Sequence, residues 1–181
     1  MFFALWPDEE SRTALAAASG KGVHRCGGRP VPAANLHVTL AFLGNVPQAQ
    51  LPQLERLAGE QAAALPLESV PLSLTFARLA HWPRQQILCA IATEEGGAVH
   101  ALAAALRDAA TAGGFHPDLK PFRAHVTVAR KVAHFAHAPA LRAVVWRFAA
   151  FALLESRTGM HGPVYSVVES YSLAKTQKVR E

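Results

Sequence analysis

Two rhythms of apolar and polar positions trade places along this chain, one strand-like and one helix-like. Phe2 to Trp6 is a short apolar run that reads as a strand. Asp8 then has the chemistry of an N-cap, and Glu9 to Ala18 is predicted as a helix ended by Gly20. Lys21 to Ala34, rich in Gly, Pro and basic residues, is predicted as a loop. His37 to Leu43 reads as a strand closed by Gly44 and Asn45, and Pro47 to Leu65 as a helix despite Pro52 in its early turns. Leu72 to Leu79 and Ile87 to Thr93 read as strands joined through His81, Trp82 and Pro83. Ala98 to Ala112 is an Ala/Leu-rich helix stopped by Gly113 and Gly114. His125 to Arg130, Trp146 to Glu155 and Val164 to Leu173 complete the set as strands, with loops over Phe115 to Arg123 and Lys131 to Leu141. The expected class is mixed α+β with about seven or eight strands and three helices.

One internal echo changes this picture. Residues 37–41 read HVTLA and residues 125–129 read HVTVA, so the copies begin 125 − 37 = 88 residues apart, close to half of the 181-residue chain. That period is far too long for a solenoid and points to two similar lobes, each contributing one such strand. A strand sends alternate side chains to the same face. His37 and Thr39 therefore face one way, and Val38, Leu40 and Phe42 the other. His125 and Thr127 share a face opposite Val126 and Val128. The aliphatic set can bury in a lobe core while two imidazoles and two hydroxyls converge on a cleft between lobes.

Such a set suits attack on a phosphodiester. One imidazole can take a proton from an attacking water and the other can give one to the departing oxygen, since the ordinary histidine pKa of about 6.5 lies near working pH. Threonine hydroxyls can donate to non-bridging phosphate oxygens, and no metal is needed. With nine His and eight Thr, a single His-x-Thr is expected by chance about 0.4 times, so one copy says little and the repeated His-Val-Thr-aliphatic-Ala says much more. Arg130 follows the second copy and could pair bidentately with phosphate oxygens. Strict alternation turns it away from His125, so it reaches the cleft only if the strand ends or bulges there; otherwise it is a surface arginine. Its counterpart in the first copy is Phe42.

Other signals are weaker. Lys21, His24, Arg25 and Arg29 could embrace an RNA backbone or belong to a solvated loop, and Arg123 could touch phosphate or merely be exposed. His134 and His137 have a spacing seen in metal sites but no further local ligand, so no metal is expected. Trp82 and Trp146 could stack a base, although core packing is the plainer expectation. His161 sits in a turn-rich stretch. No Walker loop, dinucleotide glycine pattern or Gly-x-Ser-x-Gly elbow is present.

Composition narrows the class. Hydrophobic residues make up 51% and charged ones 17%, which argues against disorder. The net charge of +5 favours contact with polyanions. Cys26 and Cys89 are too few and too unlike in context for a disulfide framework or a zinc site. The opening MFFALWPDEE lacks the basic and long apolar regions of a secretory signal, and no apolar run reaches the length of a membrane span. The expectation is a soluble cytoplasmic protein with no membrane association and no obligate protein partner.

The stretches MFFALWP, RPVPAANLHVTLAFLGNV, PFRAHVTVARKV, and FALLES followed by Gly162, Tyr165 and SYSLAK span nearly the whole chain. Together they resemble the bacterial and archaeal RNA 2′,3′-cyclic phosphodiesterases, historically the 2′-5′ RNA ligases, of the two-histidine phosphoesterase superfamily. NLHVTLAFLG is the most specific piece, while Val46 to Gly114 carries little of the likeness. The resemblance implies an α+β bilobal fold over residues 1–181, with two antiparallel sheets, helices outside and a central cleft. It implies a metal-independent hydrolase without cofactor that opens terminal RNA 2′,3′-cyclic phosphates to 2′-phosphates, and that could run the reverse 2′-5′ ligation. It assigns His37 as proton donor, His125 as proton acceptor, and Thr39, Thr127 and Arg130 to the phosphate. The expected partners are RNA ends or nucleotides carrying a 2′,3′-cyclic phosphate. Alternatives in the same cleft are a non-catalytic RNA-end or nucleotide-binding module, or a hydrolase of cyclic nucleotides or 2′-5′ linked oligonucleotides.

Overall fold

In the computed structural model, which describes residues 1–65, 72–135, 139–159 and 162–173, the chain builds two antiparallel sheets. The first has the order β3–β1–β8–β9, formed by Val38–Phe42, Phe2–Leu5, Ala150–Gly159 and Gly162–Ser172. The second has the order β2–β6–β5–β4–β7, formed by Arg29–Pro30, His125–Arg130, Ile87–Ala92, Leu72–Trp82 and Val144–Phe148. Helix α1 (Glu9–Arg25) lies against β6 and β7 of the second sheet. Helices α2 (Leu51–Ala64) and α3 (Ala98–Ala112) pair with each other, α2 against β9 and α3 against β3. The α+β class read from the sequence and the two antiparallel sheets implied by the resemblance are therefore present.

Strands β1 and β5 are buried on both faces of their sheets. One face joins a core shared by both sheets and the helices, including Phe3, Leu5, Leu74, Phe76, Leu88, Val126 and Trp146. The opposite faces carry smaller apolar patches, Phe2, Ala4, Ala152 and Leu154 on the first sheet and Ile87, Cys89 and Ile91 on the second. This two-sided burial is why β1 and β5 are continuous apolar runs rather than alternating ones.

Three sequence expectations are corrected. Helix α1 does not stop at Gly20 but continues to Arg25, because Leu15, Ser19 and Gly22 extend its buried stripe at helical spacing. A Cβ on Gly22 would overlap the Leu79 side chain, so this glycine permits close packing instead of ending the helix. The stop falls at Cys26, whose N–H donates to the Gly22 carbonyl, followed by Gly27 at φ +60°. The predicted strand over Trp146 to Glu155 is two strands, since the chain leaves the second sheet after Phe148 and enters the first at Ala150. The alternating burial of β7 and the continuous burial of β8 record that change. Finally, β4 runs through His81 and Trp82, and the turn is Pro83 to Gln86, closed by Gln86 N–H donating to the Pro83 carbonyl. Pro52 fits α2 because it sits at the first turn, where no N–H is needed.

The short strand β2, unforeseen in the predicted loop, is pinned to β6 by pairing of Arg29 with Arg130 and by a 2.9 Å bond from Val31 N–H to the Val128 carbonyl. Gly28 makes this seam possible: a Cβ there would lie 2.7 Å from the Arg130 carbonyl and 2.5 Å from the Val132 side chain. Gly28→Ala is expected to cost about 1–3 kcal/mol, as overpacking does. Urea unfolding should show a lower midpoint at unchanged slope; an unchanged midpoint would mean the seam is not tightly packed.

Candidate functional site

Strands β3 and β6 approach each other between the two sheets. A cavity of about 660 Å³ opens there, and its lining includes His37, Thr39, His125, Thr127 and Arg130. All five site residues expected from the sequence thus meet in one place.

Arg130 gets there through a bulge. Along β6, Ala129 pairs with Leu88 and Thr127 with Cys89, so Val128 is an extra residue on its strand. Val128 and Ala129 both join the main core, and parity flips after them. Arg130, opposite Ile87, emerges on the face of Thr127 and His125. The first motif repeats the device. Thr39 pairs with Ala4 and Ala41 with Phe3, leaving Leu40 extra, and both Leu40 and Ala41 turn to the core. Phe42, placed by strict alternation on the core side, instead lines the cavity with 52% of its surface exposed.

The two imidazoles are held alike. His37 Nδ1 lies 2.7 Å from the Asn35 carbonyl, and His125 Nδ1 lies 2.7 Å from the Arg123 carbonyl. A carbonyl only accepts, so each Nδ1 carries hydrogen and each Nε2 is left for proton exchange. Their surroundings differ. His37 is enclosed by Phe2, Trp6 and Tyr165, with ring centroids at 5.1, 5.7 and 5.0 Å. Burial pushes its pKa down to about 4, partly opposed by the Asn35 hydrogen bond and reinforced by the charges of Arg130 and His125. His125 packs on Trp82 at 4.4 Å. Its pKa is also lowered, chiefly by burial and further by the Arg123 charge, with the hydrogen bond to the Arg123 carbonyl acting the other way. Beneath Thr127, the Cys89 sulfur lies 3.9 Å from Oγ1, and burial raises this thiol to about 12, so it stays protonated at neutral pH.

The remaining sequence candidates divide clearly. Of the basic residues between 21 and 29, only Arg29 lines the cavity, because Lys21, His24 and Arg25 belong to the last turns of α1. Trp146 is fully buried and donates its indole N–H to the Ser11 carbonyl at 2.8 Å, so it is a core residue. Trp82 is half-buried against His125, with the Arg123 guanidinium 6.0 Å above its ring. His134 is exposed, and His137 and His161 lie outside the described residues. No cluster of three or more His, Cys, Asp or Glu side chains suited to a metal occurs among the described residues. Both cysteines are free and buried. The packing of Trp6 and Tyr165 about His37 was not foreseen; the only signal for it was their aromatic type on strand-like segments. Chemically, the cavity offers two proton-exchanging nitrogens, two hydroxyls and a guanidinium around one space.

A family model described as LigT-like phosphoesterase matches residues 5–87. An RNA 2′,3′-cyclic phosphodiesterase of Thermus thermophilus is 33% identical, the match covering 96% of this chain and 89% of that protein. Escherichia coli LigT complexed with 3′-AMP superposes with a TM-score of 0.84 at 26% identity, covering 96% of this chain and 97% of the other. A solved structure of a Thermus thermophilus protein superposes with a TM-score of 0.78 at 34% identity, covering 95% of this chain and 96% of the other. No helix of the described residues is long and apolar enough to cross a membrane.

Proposed function

The chain belongs to the LigT-like phosphoesterase family, and from that premise we propose that it hydrolyses RNA 2′,3′-cyclic phosphate ends to 2′-phosphates without a metal. The observation that carries this reading is the pair of imidazoles in one cavity, each with Nδ1–H tied to a carbonyl two residues upstream. That tie fixes ring orientation and leaves Nε2 to take or give the proton. In the proposed reaction His125 Nε2 removes a proton from water, which attacks phosphorus in line with the 3′ oxygen. His37 protonates that oxygen as the P–O3′ bond breaks, leaving the phosphate on the 2′ oxygen. Thr39, Thr127 and Arg130 hold the non-bridging oxygens. Run backwards with an RNA 5′-hydroxyl in place of water, the same groups would form a 2′-5′ linkage.

Residues 1–181 act in this reading as one domain of two pseudo-symmetric lobes. The matching bulges and the core drawn from both sheets support it. The free buried thiols are in keeping with a cytoplasmic setting. The substrate class follows the names of the relatives, an RNA 2′,3′-cyclic phosphodiesterase among them.

The test is turnover of an RNA ending in a 2′,3′-cyclic phosphate with a chelator present. A 2′-phosphate product at an undiminished rate is expected. A 3′-phosphate product would reverse the assignment of the leaving oxygen, and a rate that vanishes with chelator and returns with a divalent ion would end the metal-free scheme. RNA that binds but stays cyclic would make the protein a binding module.

A further inference from the structure

The β8–β9 pair outruns the sheet it belongs to. Strand β1 pairs with β8 at Ala152, Leu153 and Leu154. Past Leu154, among the described residues, the ladder continues only between β8 and β9, from Glu155 with Ser166 to Gly159 with Gly162. A two-stranded ribbon without a further partner is marginally stable at best in water. Yet this one forms a wall of the cavity through Gly162, Pro163, Val164 and Tyr165. Asn35 and Tyr165 bring it to the first motif. The Asn35 side-chain amide donates to the Pro163 carbonyl at 3.0 Å, across 128 residues of chain. Two residues further along β9, the Tyr165 ring meets His37 edge to face at 5.0 Å. Asn35 also holds His37 itself, since its own carbonyl accepts from His37 Nδ1 at 2.7 Å. One residue thus ties down both the imidazole and the wall that closes on it. Tyr165 packs on Phe2 at 5.3 Å and Trp6 at 6.4 Å as well. Those contacts are apolar and non-directional, so they tolerate sliding of the ribbon. The amide bond is directional and fixes where the Tyr165 ring comes to rest.

Resting on the reading of His37 as the proton donor of the proposed reaction, we infer that the Asn35 side chain is a positioning residue, which clasps the β8–β9 ribbon so that Tyr165 closes on His37 and keeps that ring dry and aimed at the departing oxygen. Asn35 acts through Tyr165. Burial holds the His37 pKa at about 4, and water let in beside the ring moves it up toward the ordinary value of about 6.5. The titratable and charged groups facing His37 are Arg130 and His125 from β6 and Tyr165 from β9; Phe2 of β1 and Trp6 complete its enclosure. Cutting the clasp leaves the β6 groups in place, so the pKa of His37 then reports its burial.

The experiment is NMR titration of the His37 and His125 imidazoles in the full chain, in Asn35→Ala, in Tyr165→Leu and in the double variant. The pH profile of cyclic-phosphate opening is measured alongside. Asn35 is half-buried and its carbonyl survives the substitution, so Asn35→Ala should fold. It should raise the His37 pKa and leave that of His125, whose ring packs on Trp82, where it was. The maximum of kcat should fall about tenfold, the loss expected when one hydrogen bond that aims a reacting group is removed. The alkaline limb of kcat/KM should at the same time move to higher pH. General damage to the fold would not lower the maximum and extend the profile together. In the Tyr165→Leu background, Asn35→Ala should add nothing further to the His37 pKa. An unmoved His37 in Asn35→Ala, an equal shift in His125, or a shift fully additive with that of Tyr165→Leu overturns the clasp. The imidazole titrations need no turnover, so a wild type that leaves the cyclic phosphate closed counts against the proposed reaction and not against the clasp.

Discussion

Replacing either His37 or His125 with alanine is expected to lower the rate of cyclic-phosphate opening by about 10²- to 10⁴-fold, the usual loss when a general acid or base is removed. Both rings are half-buried at the cavity wall, so the variants should fold. The losses should also be strongly non-additive, because the two imidazoles act on one displacement. The wild-type pH profile supplies an independent check. An imidazole with a lowered pKa sheds its proton at more acid pH. In the free protein His37 is protonated only below about pH 4, while His125, also lowered, is neutral by the ordinary histidine range. The form with His37 charged and His125 neutral is therefore most abundant at acid pH. The bell in kcat/KM, which reports the free enzyme, should turn down on its alkaline side below about pH 6.5. Bound substrate adds a phosphate anion beside His37, offsets the Arg130 charge and raises the pKa of that ring. The alkaline limb of kcat should then lie at higher pH than that of kcat/KM. A kcat/KM flat from pH 6 to 9, or full activity in either alanine variant, would remove the two imidazoles from their roles.

The residue types at the site were legible from the sequence because the chemistry-bearing pattern is local. Two copies of His-Val-Thr on strand-like segments place four groups on matching faces by alternation alone. What alternation could not reveal was the pair of bulges. Nothing in LAF or VAR marks Leu40 or Val128 as an extra residue, since both are aliphatic and both are buried. Only the partner strands β1 and β5, far away in sequence, show where the register slips. The same limit explains the misplaced end of α1. Gly20 and Gly27 are equally good local stop signals, and the choice between them rests on contact of Gly22 with Leu79 on another element. The change of sheet at Ala149, likewise, lies inside an unbroken apolar stretch. Sequence distance also hid the enclosure of His37, whose neighbours Phe2, Trp6 and Tyr165 come from two other strands and the turn after β1. Local chemistry was readable, and whatever depended on long-range register was not.

Those bulges make a specific case for Arg130. Arg130→Gln is expected to reduce kcat by about 10²- to 10³-fold, the range seen when one donor to a developing oxyanion is lost. The side chain is exposed and stands outside the main core, so stability should change little. Arg130→Lys should recover only part of the rate, because a point charge replaces a planar fork that can hold two phosphate oxygens at once. A second readout separates electrostatics from mere packing. Arg130 is one of the charges that hold the His37 pKa down. Removing it should raise that pKa, while Arg130→Lys should leave it near its wild-type value. NMR titration of the imidazole protons can follow both. Deleting Val128 tests the geometry without touching the charge. With Val128 removed, Thr127, Ala129 and Arg130 alternate strictly opposite Cys89, Leu88 and Ile87, so Arg130 keeps the face of His125 and Thr127 without a bulge. A folded deletion variant should therefore lose stability with the Val128 side chain but keep Arg130 at the cavity, with more of the rate than Arg130→Gln and no comparable upward shift in His37. If Arg130→Gln keeps full kcat and an unshifted His37, the guanidinium lies beside the reaction without taking part, and the bulge in β6 serves only the packing of Val128 and Ala129.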